Sequence, residues 1–496
     1  MSRFDKAAIS SSGIVATLLA AVLLTAHPAC EQKRPASDAP SGPTTLTIGF
    51  GLTSAGQGLT TGILEAMRSL ALERLILFGA NGRGQGRLAE RWTVSEDGRR
   101  VQISLRQNVQ FHDGTPLTAA VVVPVLTKEL PGVMGPAFED VEGIQAVGSH
   151  EIEVTLKRRS MFLIEGLEAT IRQSGNVTVG TGPFQVDRQA GSEELMRANE
   201  SYYLGKPYID SVRFKSYEST RAAWADMLRG HVDMLYEVGI DALDFVRPST
   251  NTNIFMFDRP YTYMVVLNLR RPLLADAHFR RDLNAAVDRD AIVQTALNGQ
   301  GQPSGGPVSP LHWAYEPSFP NFRYAPRQAT TSIKPRFTCL VFDPSHERLV
   351  LTIQQQLQAI GVDMQLEFVT EGAGDRLQRG DFDAYFADAV SGPTMLRPYL
   401  FWHSRGNNNW GRYASAAVDA AFDQIRASAT DDQYKAGVAA FQQAIVDDPP
   451  AIFIAWSRRA RAVLKRFDVP AEPGRDILGS LRSWRPASDK GIDSPN

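Results

Sequence analysis

The sequence predicts a chain of alternating strands and helices. Short strands with apolar residues at every second position recur along the chain, and segments with apolar residues at helical spacing lie between them. Glycine and proline turns separate the two kinds of segment. At 496 residues the chain can bury a large core and hold two or three compact units. A net charge of −2 gives no basic surface for nucleic acid, so a nucleic-acid role is disfavoured.

The amino terminus reads as a signal peptide over residues 1–29. Arg3 and Lys6 supply positive charge, and residues 14–26 form an apolar run too short for a comfortable membrane span. Cys30 follows, and residues 30–43 form a polar tether rich in proline and serine. The arrangement is similar to a bacterial lipoprotein signal, with Cys30 as the lipidated residue, although His27 and Pro28 depart from it. The alternative is ordinary cleavage nearby with Cys30 incidental. The other cysteine, Cys339, lies in an apolar strand pattern and reads as a small core residue.

The elements then follow in order. Thr45-Leu46-Thr47-Ile48-Gly49-Phe50 is a first strand, and residues 64–77 are apolar at helical spacing. Gly82, Gly84 and Gly86 invite a dinucleotide-loop reading, but no suitable strand or downstream acid accompanies them. A flexible loop leading into Leu88 is expected instead. Ser95-Glu96-Asp97-Gly98 makes a turn. Val101, Ile103 and Leu105 alternate as a half-buried strand, His112-Asp113-Gly114 turns again, and Thr118 can cap a helix from Ala119. Pro124 then predicts a short or kinked helix. Residues 151–156 alternate as a further strand.

The passage from 88 to 119 resembles the signature of family 5 extracellular solute-binding proteins, the peptide-binding subunits of ABC importers. It carries Leu88-Ala89, Trp92, Ser95 to Gly98, Leu105-Arg106, Phe111-His112-Asp113-Gly114, Pro116 and Thr118-Ala119. Further segments match in order: Gly180-Thr181-Gly182-Pro183-Phe184, Asn199 to Asp210, Leu228-Arg229-Gly230 and Asn268-Leu269. A helical pattern from Asp276 to Asn298 contains Val287-Asp288-Arg289, and Gly361 closes a helical face formed by Leu349, Ile353, Leu357 and Ile360. Gly380-Asp381-Phe382-Asp383 enters a strand, as does Asp447-Asp448-Pro449-Pro450. The likeness covers residues 45–470. It departs at 120–147, where the family's aspartate-valine pair is missing.

The resemblance implies a periplasmic-binding-protein-like α/β fold (type II, cluster C-like), with two lobes and a ligand cleft between them. With crossings near Tyr263 and Trp456, residues 44–262 plus 457–496 form lobe I, which carries an inserted subdomain. Residues 263–456 form lobe II. It also implies capture of peptides for a permease, in the periplasm or at the cell surface, by a lipid-anchored monomer. The alternatives are an oligosaccharide, a nickel chelate or haem as ligand, or a ligand-sensing subunit.

No catalytic or metal-binding constellation stands out, so no enzymatic activity, cofactor or metal is expected. His112, inside the turn motif, reads as structural. A peptide's ammonium requires a carboxylate in the cleft. The resemblance assigns that role to Asp388, which follows the Gly380 to Asp383 motif. Trp402, Asn409, Trp410, Arg412 and Tyr263 are the further ligand-binding candidates. Arg405 reads as a surface residue, and Asn268 as a residue that satisfies backbone groups.

Overall fold

Ser95 and Asp97 favour a tight turn, and the chain turns there. The Ser95 hydroxyl donates to Asp97 Oδ1 at 2.6 Å, the Ser95 N–H donates to the Arg100 carbonyl, and Gly98 takes φ 73°. This turn joins strands Ala89–Val94 and Arg100–Leu105. Val101, Ile103 and Leu105 are buried, while Arg100 and Gln102 are exposed. Glu151–Leu156 and Val141–Ala146 complete a four-stranded sheet. The structure is a computed structural model that describes residues 43–51, 58–173, 179–187, 194–239, 242–318, 322–327, 334–369 and 371–487. The expected signal peptide, Cys30 and the tether up to residue 42 lie outside the described residues.

The helix Ala119–Met134 starts where expected, with Thr118 at its N-cap but making no side-chain cap bond. It is not short: it runs through both Pro124 and Pro131. Proline at 124 removes the hydrogen bond to the Ala120 carbonyl, and Ala120 is exposed, so water can satisfy that group. The apolar residues Val122, Val125, Leu126 and Leu130 are buried and hold the helix down.

Three other expectations change. The helix expected over 64–77 ends at Ala71, because its apolar positions serve two cores: Leu70 joins one, whereas Leu75 and Ile76 join another. The Ala71 carbonyl accepts from Gly182 N at 2.9 Å. The glycine run at 82–86 is not a flexible loop. Ile76–Phe78 and Gly84–Gly86 pair as a hairpin, and Gly82 turns it at φ 73°. Finally, the 276–298 pattern is two helices, Ala277–Ala285 and Arg289–Thr295. Asp288 is the N-cap of the second, accepting from Ala291 N at 2.9 Å.

The largest sheet has eleven strands among the described residues. Its order is Phe184–Val186, Glu194–Ala198, Ser211–Tyr217, Thr45–Gly51, Met234–Leu235, Ala451–Leu464, Thr252–Leu267, Ala384–Val390, Arg336–Val341 and Asp363–Phe368. Gly301–Pro303 pairs with Ala451–Leu464 in addition. The two long central strands run antiparallel, with bulges between Asp258 and Thr262 and between Tyr263 and Met264. Each feeds different cores along its length. Tyr263, Val265, Leu267, Ile452 and Ile454 pack with Leu349, Ile353 and Leu357. Val463 packs instead with Leu46, Ile48 and Trp484, while Ala460 and Ala462 pack with Trp224. Cys339 is fully buried among the first of these groups, as its strand pattern predicts. Helix Met161–Gly166 shares its core with helices Leu396–Trp402 and Ala416–Ala427; the Phe162 and Tyr399 rings lie 4.9 Å apart.

Candidate functional site

Two neighbouring strands bring Asp388 and Tyr263 together. They are register partners between Ala384–Val390 and Thr252–Leu267. On the other side of Tyr263 lies Ala451–Leu464, which carries Ser457 and Arg459. The bulge after Asp258 interrupts the ladder beside them. Arg459 reaches across it and donates from Nη2 to Asp388 Oδ2 at 2.6 Å. Its Nη1 donates to Glu237 Oε1, also at 2.6 Å. Arg459 therefore bridges two carboxylates. Asp388 Oδ1 and Arg459 Nε are buried and make no hydrogen bond among the described residues.

Aromatic rings close one side of this cluster. Tyr263 is 2 % exposed and stacks on Phe386 at 6.1 Å. His346 lies 5.7 Å from the Tyr263 ring and 5.0 Å from Phe386. Ser457 Oγ is 3.5 Å from Tyr263 Oη. Burial opposes the charge of Arg459, but Glu237, Tyr263 and Asp388 more than offset this and hold the guanidinium above its ordinary range. Burial pushes His346 down, against the pull of Asp388, and so favours its neutral form. Both carboxylates, Glu237 and Asp388, thus bear on one guanidinium.

The other sequence candidates lie elsewhere. The strand pair that holds Tyr263 and Asp388 ends at Leu267 opposite Ala384, and the loop bearing Asn409, Trp410 and Arg412 packs at that end. Four residues of strand separate the two places, about 13 Å. Trp402 is a core residue, 2 % exposed, with its ring edge-on to Phe453 at 5.6 Å, so no indole face is open to a ligand. Asn409 is spent on its own loop: it donates to the Tyr413 carbonyl at 2.7 Å and accepts from Tyr413 N at 2.8 Å. Trp410 is half-buried; its ring lies 6.0 Å from Tyr385, and its carbonyl accepts from Arg270 Nη2 at 2.9 Å. Arg412 is exposed, with φ 55°.

The residues read as structural have structural partners. His112 Nε2 meets the Gly182 carbonyl at 3.0 Å, and His112 Nδ1 accepts from Gly180 N at 3.3 Å. Asn268 donates to the Phe382 carbonyl at 2.7 Å. Arg405 makes a bidentate pair with Glu139 at the surface. A groove of about 670 Å³ lined by Phe111, His112, Asn199 and Lys206 contains none of the expected ligand residues.

Sequence reasoning missed Glu237, His346 and Arg459. One signal was available for Arg459. Arg459 and Arg461 interrupt an apolar strand at alternate positions, and arginines on a buried strand face need carboxylate partners. Nothing local in the sequence marks Glu237 or His346.

Comparison with known proteins agrees with this architecture. The family model for bacterial extracellular solute-binding proteins, family 5, matches residues 84–411. The chain belongs to that family. The oligopeptide-binding protein AppA of Bacillus subtilis is 24 % identical over 453 residues, covering 80 % of this chain and 83 % of AppA. The structure of AppA in complex with a nonapeptide superposes with a TM-score of 0.73 at 20 % identity, over 90 % of this chain and 100 % of that one. NikZ from Campylobacter jejuni, solved with Ni(L-His), gives a TM-score of 0.75 at 20 % identity, over 89 % and 99 %. The fold is therefore that of the periplasmic binding proteins of this family. Among the described residues, no group of three or more His, Cys, Asp or Glu could hold a metal ion. No helix among them is long and apolar enough to cross a membrane.

Proposed function

We propose that this chain binds peptides in a cleft at the Asp388 cluster and delivers them to an ABC permease, with no enzymatic activity of its own. The observation that carries this reading is the placement of Asp388. It faces Tyr263 where the two long strands pass each other, and one of its oxygens makes no hydrogen bond among the described residues. Residues 44–262 with 457–496 form one lobe and 263–456 the other, the inserted helix Met161–Gly166 stays packed in the core of the second, and the crossings near Tyr263 and Trp456 act as the hinge. The bulges beside Tyr263 support that placement, because a bulge loosens the ladder at one point. Asp388 receives the peptide's ammonium, and main-chain hydrogen bonds hold the rest as an added strand. The protein works outside the cytoplasm as a monomer, with a signal over 1–29 and a lipid on Cys30.

The names of the relatives support a peptide, while NikZ with its nickel–histidine complex keeps a chelate as the competing ligand. Native mass spectrometry of the protein lacking residues 1–29, after exposure to a peptide library, separates the two. Bound masses that resolve into short peptides support the proposal; a chelate, sugar or haem mass overturns the ligand. Asp388→Asn is expected to weaken peptide binding by about 2–5 kcal/mol with the fold intact. Unchanged affinity in calorimetry would sink the assignment of Asp388.

A further inference from the structure

We infer that Thr262 and Trp456 form a second subsite of the cleft, on the sheet face opposite Asp388, and that it takes an uncharged ligand group with an acceptor oxygen, an amide carbonyl. The inference rests on the reading of the cleft given above, with a peptide as ligand.

The end of strand Ala384–Val390 opens this face. Ala384, Tyr385 and Phe386 are buried, whereas Ala387, Asp388, Ala389 and Val390 are all half-buried. Successive side chains leave opposite faces of a strand, so both faces of this strand end are partly open. Asp388 stands on one face. Ala387 and Ala389 stand on the other, where an alanine floor leaves room above it. Thr262 is the register partner of Ala389 on one side and of Trp456 on the other, so the three share that face.

The polar atoms there are unspent. Thr262 is fully buried and Trp456 is 5 % exposed. Thr262 Oγ1 and Trp456 Nε1 make no hydrogen bond among the described residues, not even with each other. An indole N–H can only donate, and a threonine hydroxyl can donate. A buried donor without an acceptor is destabilising unless something else supplies one. The adjoining polar side chains are committed. Arg458, two residues along from Trp456, has its own partner, as does Ser391. Arg458 donates from Nε to Asp258 Oδ1 at 2.7 Å, and Ser391 Oγ donates to the Pro307 carbonyl at 3.0 Å. Two neutral donors beside small apolar residues suit a carbonyl oxygen, whose two lone pairs can accept both bonds. A carboxylate would lose its water and find Arg458 already paired. On a peptide, a main-chain amide and an Asn or Gln side chain both carry such an oxygen.

The test is calorimetry with the peptide that native mass spectrometry shows to be retained from a library of short peptides. Trp456→Phe removes the N–H and keeps an aromatic wall; Thr262→Val removes the hydroxyl at nearly constant shape. Each is expected to weaken binding by about fivefold or more, the worth of one hydrogen bond. Modified peptides identify the oxygen. An alkene in place of one main-chain amide at a time removes one carbonyl, and Leu in place of Asn or Gln removes a side-chain carbonyl. The bound carbonyl is the one whose removal weakens binding to wild type but not to Trp456→Phe. If Trp456→Phe does not fold, Thr262→Val takes its place. Unchanged affinity in the variants overturns the inference and gives the two donors to buried water. A variant that responds to every modified peptide as wild type does also overturns it, because its loss then comes from packing. A wild type that retains no peptide overturns the peptide reading and this inference together, whereas wild-type binding with unmoved variants tells against Thr262 and Trp456 alone.

Discussion

Replacing Glu165 with glutamine isolates the effect of one buried carboxyl on stability. Glu165 sits on helix Met161–Gly166 at 5 % exposure. Tyr434 Oη donates to its Oε1 at 2.6 Å, and Leu396 N donates to its Oε2 at 2.6 Å. Burial pushes the carboxyl up to about 7 from an ordinary 4.5, because those hydrogen bonds only partly offset the loss of water. The native state thus holds a proton that the unfolded chain releases. Stability is full below the unfolded value and falls as pH rises through the window from 4.5 to about 7. That shift corresponds to about 3 kcal/mol. Glu165→Gln carries no charge and loses this pH dependence. At pH 8 the variant is expected to be the more stable by up to about 3 kcal/mol, less about 1 kcal/mol for an imperfectly matched amide. At pH 5 the two proteins should differ little, or the variant should be slightly weaker. Urea unfolding followed by tryptophan fluorescence at both pH values measures this. A difference between variant and wild type that is the same at pH 5 and pH 8 would refute the reasoning.

Two further outcomes test buried groups remote from the site. Arg289 is buried and donates to the carbonyls of Phe453, Asn284 and Val287 and to Asn284 Oδ1, at 2.7 to 3.1 Å. Arg289→Met should cost about 3 kcal/mol or more in urea unfolding, and Arg289→Lys should not restore it, because one ammonium cannot reach four acceptors. Burial pushes the Cys339 thiol up to about 12, so at pH 8 it should resist iodoacetamide in the native protein. Peptide mapping should show it alkylated only after unfolding, and rapid native labelling would contradict the burial.

Local patterns decided most of the elements. Strand Arg100–Leu105, the turn before it, the helix start at Ala119 and the glycine that follows Thr220–Leu228 were all legible, because each depends on residues a few positions apart. Where local signals misled, a second core or a hidden cap was the cause. Ala71 and Leu75 are four residues apart, a helical spacing, yet face different cores, and Asp288 looked like part of a helix that it in fact begins.

The sequence by itself determined the α/β class, the family resemblance and the candidacy of Asp388, since those rest on periodicity and on a short ordered set of motifs. Only the tertiary structure decided what surrounds Asp388. Glu237, His346, Asp388 and Arg459 come from four separate segments, and Arg459 reaches Asp388 because strand register and a bulge align them. Register between distant strands is a property of the whole sheet, invisible to any local window. Packing likewise separated Trp402 and Asn409 from the Asp388 cluster: it committed one to a core and the other to its own loop.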